Sequence, residues 1–511
     1  MRKSMKVFQA TAAVSLLAMT LAACGSNGEA NDANVSASAP ASEVNKPTLK
    51  RLGIYSTEDM NAHPVAKFLE DKTGYKVQYD TLPKDKAPEK LNLLMASGED
   101  YDTVQYYADT AALALYSDYA HQGALTDLTP LIDKYGPNIK KAISQQSLDA
   151  VKIDGKVYAL PSIQSYKIGS SILIRKDWVE KVGMQMPTTT EELKAVLKAF
   201  KDKDPGGHGD QDVPLTISGD KAMLDDIVGA FGLASAWNDV EGKLVPRALD
   251  PSFKDYVTYV SDLYKGGLLD NQFVVNKAAT TMEKFTSGKA GAMIAHWADI
   301  PKINEALQKT DPNAKFEFLG ALKGPNGEAG LSANTGFDRL TFIPKASKHP
   351  EDAIKWINAT LDPVTFKGLS IGEEGKHYKV ENGAYMPILP IFNDERAPAN
   401  NYMSGMDEAN YPQYWQARVR KDPALFQQFD LLNNKQPDAV KIANPLGLAP
   451  YLPNYSKNNG PLEAMVSEYT IKLIAGAEQL SGIADFQAKY KAAGAEDSMK
   501  EVNDWYAKTK K

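Results

Sequence analysis

Extended and amphipathic runs alternate from Leu52 to Tyr107, and this alternation restricts the architecture more than any other feature of the 511 residues. Leu52-Gly53-Ile54-Tyr55 reads as a strand. His63 to Lys72 places Val65, Phe68 and Leu69 on one helical face, and Gly74 stops it. Tyr75 to Tyr79 alternates as a second strand, Ala87 to Ala96 is helical through Leu91, Leu94 and Met95, and Tyr101 to Tyr107 is a third strand. A residue period that switches between strand and helix at this spacing predicts parallel βαβ units and an α/β domain.

Downstream, Asp154-Gly155 is a turn leading into Lys156 to Pro161, and Ser165 to Ser171 leads into the strand Ile172 to Arg175. Two extended segments in tandem read as a crossing between domains. Thr188-Thr189-Thr190-Glu191-Glu192 holds two overlapping capping boxes ahead of Leu193, Val196, Leu197 and Phe200, which predicts an amphipathic helix. Helical patterns also cover Met223 to Phe231, Phe253 to Tyr264, Met282 to Ser287, Glu351 to Leu361 and Leu462 to Ala475. Strand-like runs interrupt at Ala292 to Ala295 and Leu340 to Ile343. The length suggests two or three domains, and no internal repeat is present.

Ahead of this folded region the composition changes. Gly25 to Pro47 is rich in Ser, Ala, Asn and Gly without an aromatic residue, a flexible tether with a span of about 25–30 Å. Before it come a basic start (Arg2, Lys3, Lys6), an apolar run from Val7 to Met19, the small pair Ala22-Ala23, and Cys24, the single cysteine. That order is a secretory signal, and the apolar run falls short of a membrane span. Leu21-Ala22-Ala23-Cys24 resembles the lipobox of bacterial lipoproteins, which implies removal of residues 1–23 and a diacylglycerol thioether on Cys24. A lipoprotein anchored to the extracytoplasmic face of a cell membrane is the expectation. The formal charge of −6 becomes more negative once the basic leader is gone, so nothing favours nucleic acid as a partner. With the one cysteine acylated, no disulfide is available.

Four stretches carry a wider resemblance: Lys156 to Pro161; Leu173-Ile174-Arg175-Lys176-Asp177-Trp178 followed by Pro187-Thr188-Thr189; Ser287 to Met293; and Gly372-Glu373-Glu374-Gly375-Lys376-His377-Tyr378. Their order resembles the extracellular solute-binding proteins of ABC importers, in the carbohydrate-binding, maltose-binding-like family, and within it a lipoprotein branch of alginate-oligosaccharide binders. The resemblance implies a two-lobed α/β fold with discontinuous domains and hinge strands: residues 48–166 plus 319–343 as the N-lobe, and 167–318 plus 344–511 as the C-lobe. It implies an inter-lobe cleft that closes on an oligosaccharide and delivers it to permease subunits, by a monomer that needs no cofactor.

A saccharide cleft needs aromatic platforms for sugar faces and fixed polar groups for hydroxyls, and 24 Tyr and 6 Trp allow for them. Tyr106, Tyr107 and Asp109 end the third strand, where open α/β sheets place ligands; the resemblance puts a sugar-reading aromatic and aspartate at Tyr107 and Asp109. It also puts a stacking Trp at Trp297. Trp237 either lines the cleft or plugs a lobe, whereas Trp178 and Trp356 lie at core spacing. Gln164 and Tyr166 sit in the outward crossing, and Asp338 and Arg339 in the return. Arg339 could fork onto a uronate carboxylate or pair with Asp338 or Glu374. Tyr411 to Trp415 is an aromatic cluster that the sequence cannot position.

Lys203 to Asp212 resembles the calcium loop of the alginate-binder branch, with Asp204, Asp210 and Asp212 as matching ligands. Gly206 and His208 replace oxygen donors, and Val213 replaces an acid, so the segment reads as a plain turn before it reads as a Ca2+ site. No G-x-S-x-G, H-E-x-x-H or P-loop occurs, which favours a binder over an enzyme. A glycan hydrolase remains as an alternative, because a glycosidase needs only two carboxylates and 64 acidic residues hide such a pair. A peptide-binding importer subunit is the other.

Overall fold

Leu49 to Gly53, buried at every position but Lys50, is the centre of a parallel trio, paired with Val77–Thr81 on one side and Thr103–Tyr107 on the other. The computed structural model of the protein describes residues 46–219 and 223–509. Cys24, the signal and the tether as far as residue 45 lie outside the described residues. The helix Pro64–Thr73 begins where His63 Nδ1 accepts the Val65 N–H at 3.3 Å, and ends at Gly74, whose φ of +69° is the left-handed turn that favours glycine. The helix Ala87–Ser97 completes the second crossover. Phe337–Phe342 enters the sheet antiparallel, between Thr103–Tyr107 and Ala159–Ile163, giving five strands.

A second sheet holds four strands: Phe316–Phe318, Ser170–Arg175, Ala290–His296 and Val213–Thr216, in that spatial order. The helix Thr190–Lys203 covers it with Leu193, Val196, Leu197 and Phe200, all buried. Its expected start is present: Thr189 Oγ1 accepts the Glu192 N–H at 3.1 Å while Glu192 Oε2 accepts the Thr188 N–H at 2.8 Å.

Each sheet has its own core, and the chain divides between them differently from the expected boundaries. Residues 344–511 do not all belong to the second lobe. Instead, Trp356, Phe366, Tyr402 and Tyr411 join the core of the first sheet, Phe429 and Leu432 join that of the second, and Leu473 packs with Phe200 and Phe253. Leu319, expected in the first lobe, is also a second-lobe core residue. An amphipathic helix announces which face it buries, but not which sheet receives that face.

Three segments run between the cores. The outward one joins Ile163 to Ser170, and the return one joins Ala333 to Phe337. A third follows Lys441–Ala443, which pairs in parallel with Leu331–Ala333. Leu448 and Tyr451 of this strap pack on the first core, while Leu446 and Leu452 pack with Trp237 and Val502. Strap and return touch at two glycines: a Cβ on Gly336 would stand 2.4 Å from the Gly447 carbonyl oxygen, and Gly336 has a φ of +85°. The 23-residue helix Pro453–Ala475 follows the strap. No helix among the described residues is long and apolar enough to cross a membrane.

Candidate functional site

Two adjoining cavities lie where the crossings meet the sheet rims, and both are bordered by Gln164 and Asp338. The first, of 460 Å³, has Tyr107, Asp109 and Tyr116 from the first lobe on one side and Tyr451 and Tyr455 from the strap and its helix on the other. The second, of 310 Å³, gathers Tyr166, His296, Trp297, Arg339, Tyr411 and Trp415. Strand period explains the first wall: Tyr107 pairs across the ladder with Arg339, while Tyr106 pairs with Leu340 and points to the opposite face.

Most residues named from the sequence meet here. Tyr107 is 41% exposed on the wall of the first cavity. Asp109 Oδ1 accepts the Ala112 N–H at 2.8 Å and so caps the helix Thr110–His121 at the cavity edge. Tyr166 meets Trp297 edge to face at 5.1 Å between ring centres and lies nearly parallel to Trp415 at 6.5 Å. Its hydroxyl faces His296 Nε2 at 3.2 Å, and the Ala298 N–H donates to His296 Nδ1 at 3.0 Å. Burial, with Asp338 nearby, raises the Tyr166 phenol above its usual range. The indole N–H groups of Trp297 and Trp415 are both buried without an acceptor. Arg339 holds Asp338 through Nε at 3.1 Å and the Asn400 carbonyl through Nη1 at 3.0 Å, which answers the question of its partner.

Two candidates stand elsewhere. Tyr106 belongs to the first core, because its strand sends it to the face opposite Tyr107. Trp237 is 4% exposed and packs edge to face behind Tyr455 at 5.8 Å, so it supports the wall without reaching the cavity. Conversely, Gln105, Asn400, Tyr451 and Tyr455 border the cavities although no sequence motif singles them out. A signal existed for the strap: Pro445, Pro450 and Pro453 bracket Tyr451 in a segment unable to be helix or central strand.

In the loop 204–212, the side chains of Asp204 and Asp212 are engaged by the chain itself. Asp204 Oδ1 accepts the N–H groups of Gly207, His208 and Gly209 at 3.0–3.1 Å, and Asp212 Oδ1 engages His208 Nδ1 at 2.8 Å. The Asp212 carboxylate lies over Gly206, 2.3 Å from where a Cβ would stand, so the backbone position that lost its donor is also closed to one. The Asp210 side chain lies outside the described residues. Among the described residues no cluster of three or more His, Cys, Asp or Glu could hold a metal.

Known proteins resemble this chain in sequence and in fold. Residues 64–372 match the family described as bacterial extracellular solute-binding protein. Lipoprotein LipO of Bacillus subtilis (strain 168) is 27% identical over 98% of this chain and 98% of its own length. The fructooligosaccharide ABC transporter substrate-binding protein FusA of Streptococcus pneumoniae serotype 4 (strain ATCC BAA-334 / TIGR4) is 28% identical over 67% of this chain and 66% of its own. The crystal structure of alginate-binding protein AlgQ2 without calcium superposes with a TM-score of 0.63 at 22% identity, covering 91% of this chain and 98% of that one. Two lobes, chain crossings between them and a family match over more than half of the sequence agree: this chain belongs to the bacterial extracellular solute-binding proteins.

Proposed function

We propose that this protein is the substrate-binding component of an ABC importer, held to the outside of the cell membrane by acylated Cys24, and that it captures an oligosaccharide by closing its two lobes. The observation that carries this reading is the pair of joined cavities, in which Tyr107, Tyr451, Tyr166 and Trp297 supply faces for sugar rings and Gln164, Asp109 and Asp338 supply polar atoms for hydroxyls. Wall residues come from both lobes, so a ligand that touches all of them favours the closed form by its difference in affinity for the two states. The similarity to FusA, a fructooligosaccharide ABC transporter substrate-binding protein, and to the lipoprotein LipO supports the ligand class and the anchor. The reading assigns the first three strands and residues 353–417 to one lobe and the second sheet to the other, with the protein acting as a monomer that requires no metal.

An enzymatic role is disfavoured at the carboxylates themselves. Asp109 is engaged in capping a helix and Asp338 in pairing with Arg339, so both carboxylates already have structural partners. A thermal-shift panel of neutral and acidic oligosaccharides and of peptides tests the whole reading. Stabilisation by a saccharide series that is recovered intact supports it; cleavage of the sugar replaces it with a hydrolase, and a response to peptides alone overturns the carbohydrate assignment.

A further inference from the structure

One residue outside both cavities holds two of the three crossings to the second lobe, and the role inferred for it rests on reading the protein as a hinge that closes on an oligosaccharide. Asn433 ends the helix Pro423–Asn433, whose Phe429 and Leu432 are buried in a second-lobe core. Its Oδ1 accepts the Lys167 N–H at 3.0 Å and the Ile168 N–H at 2.8 Å, and its Nδ2 donates to the Ile168 carbonyl at 3.0 Å. One carboxamide thus engages both backbone groups of Ile168, as a neighbouring strand would. The Ile168 side chain is wholly buried in the same core. The Asn433 backbone carbonyl takes up the strap: Lys441, whose side chain is 6% exposed, donates to it through Nζ at 2.8 Å and to Asp438 at 3.0 Å. The return crossing is tied in through its neighbours, because the Asn334 N–H donates to the Lys167 carbonyl at 2.6 Å and Leu331–Ala333 pairs with Lys441–Ala443.

All three crossings therefore leave the second lobe as one unit. Toward the first lobe they are fixed again at Ile163, Phe337 and Leu448, which pack on the first core. The spans left between are short: 164–166, 335–336 and 444–447, with Gly336 and Gly447 among them. Rotation of one lobe against the other has to be absorbed by the φ and ψ of these few residues. Gln164, Tyr166, Thr335, Gly336 and Gly447 also border the cavities, so the residues that turn are residues that meet a ligand. Tyr166 directly precedes the held pair Lys167-Ile168, and the Trp297 N–H donates to the Gly169 carbonyl at 3.0 Å just beyond it. The backbone on that side of Tyr166 is thereby fixed relative to Trp297.

We propose that Asn433 is a positioning residue for ligand capture. Its side chain and carbonyl fix the second-lobe end of the hinge, which confines the pivot to the three short spans and keeps Tyr166 opposed to Trp297 as the cleft closes. Without the amide, the Lys167 and Ile168 N–H groups lose this acceptor, the crossing loosens from the second lobe, and the lobes sample a wider range of separations.

Electron–electron double resonance on the Cys24→Ser chain tests this without a ligand, with nitroxides at Lys90→Cys on the first lobe and Lys302→Cys on the second, both exposed helix positions. The expected result is a distance distribution at least about twice as wide for Asn433→Ala as for the parent chain. Asn433→Asp should fall between them, because a carboxylate still accepts the two N–H groups but offers none to the Ile168 carbonyl. Equal widths in all three chains, even with a lower urea midpoint, make Asn433 a brace of the fold alone and overturn the proposal. If Asn433→Ala does not fold, Asn433→Asp decides: a wider distribution than the parent supports the proposal and an equal one overturns it. Maltotriose, kestose and trigalacturonate, added in turn, test the reading beneath. A shorter mean distance in the parent chain supports closure, and the saccharide that produces it should leave Asn433→Ala about tenfold faster. An unchanged distance with all three overturns closure on these sugars, while the ligand-free widths still decide the role of Asn433.

Discussion

Tyr106 and Tyr107 are chain neighbours with different surroundings, one in a core and one on a cavity wall, and only the second is expected to matter for binding. Tyr107→Ala should reduce oligosaccharide affinity about tenfold by removing a partly exposed apolar platform, with little change in unfolding free energy. Titration calorimetry beside a urea melt separates the two effects. His377 is the contrasting case of a residue that serves the fold. It is wholly buried, its Nδ1 accepts the Glu373 N–H at 2.9 Å, and its Nε2 faces Glu395 at 2.8 Å. Burial, with the Arg396 and Lys376 charges, outweighs Glu395 and lowers its pKa. Glu395 itself is held at about 2 by Lys376 and His377, so it stays ionised while the imidazole titrates. A folded-state pKa below the unfolded value of about 6.5 means that this stability is present above that pH and is lost as pH falls. Urea midpoints should therefore drop between about pH 7 and pH 5, and His377→Gln should flatten that slope.

Among elements, the helix Thr190–Lys203 was legible, with its start narrowed to two overlapping capping boxes, because a capping box is a local signal: donor, acceptor and apolar face all lie close together in the chain. Thr189→Ala should cost about 1 kcal/mol, read as a lower urea midpoint at unchanged slope. The strap was illegible as a wall of the site, since its position depends on a strand pairing with Leu331–Ala333, far earlier in the chain. Its contact with the return crossing gives a prediction at this scale. A Cβ on Gly447 would stand 2.4 Å from Thr335 Oγ1 and 3.0 Å from the Gly336 nitrogen. The side chain can turn away but the backbone cannot, so Gly447→Ala should displace the strap, destabilise the fold by about 1–3 kcal/mol and weaken ligand binding with it.

For the whole molecule, hinge closure predicts a smaller radius of gyration with saccharide than without it, measurable by small-angle scattering. Ligand at a hundred times its dissociation constant should add about 2.7 kcal/mol and raise the melting midpoint by a few degrees. Calcium and a chelator should each leave that midpoint unchanged, because Asp204 Oδ1 and Asp212 Oδ1 are already engaged within the loop 204–212; a shift of several degrees with Ca2+ would assign the loop to a cation after all. Cys24→Ser should move the protein from the membrane fraction to the medium, which tests the anchor.

Local patterns determined much on their own: the βαβ opening, the capped helices, the core positions of Trp178 and Trp356, and the aromatic content of the cleft. Each depends on residues close in sequence, where periodicity and capping act. Tertiary structure alone decided that residues 353–417 pack with the first sheet, that Trp237 backs Tyr455 and leaves the cavity to it, and that Arg51 and Arg339 share the Gln105 amide. Those outcomes depend on register and on which apolar face meets which. They are set by the burial of surfaces far apart in the chain, for which a single sequence carries the faces but not the pairing.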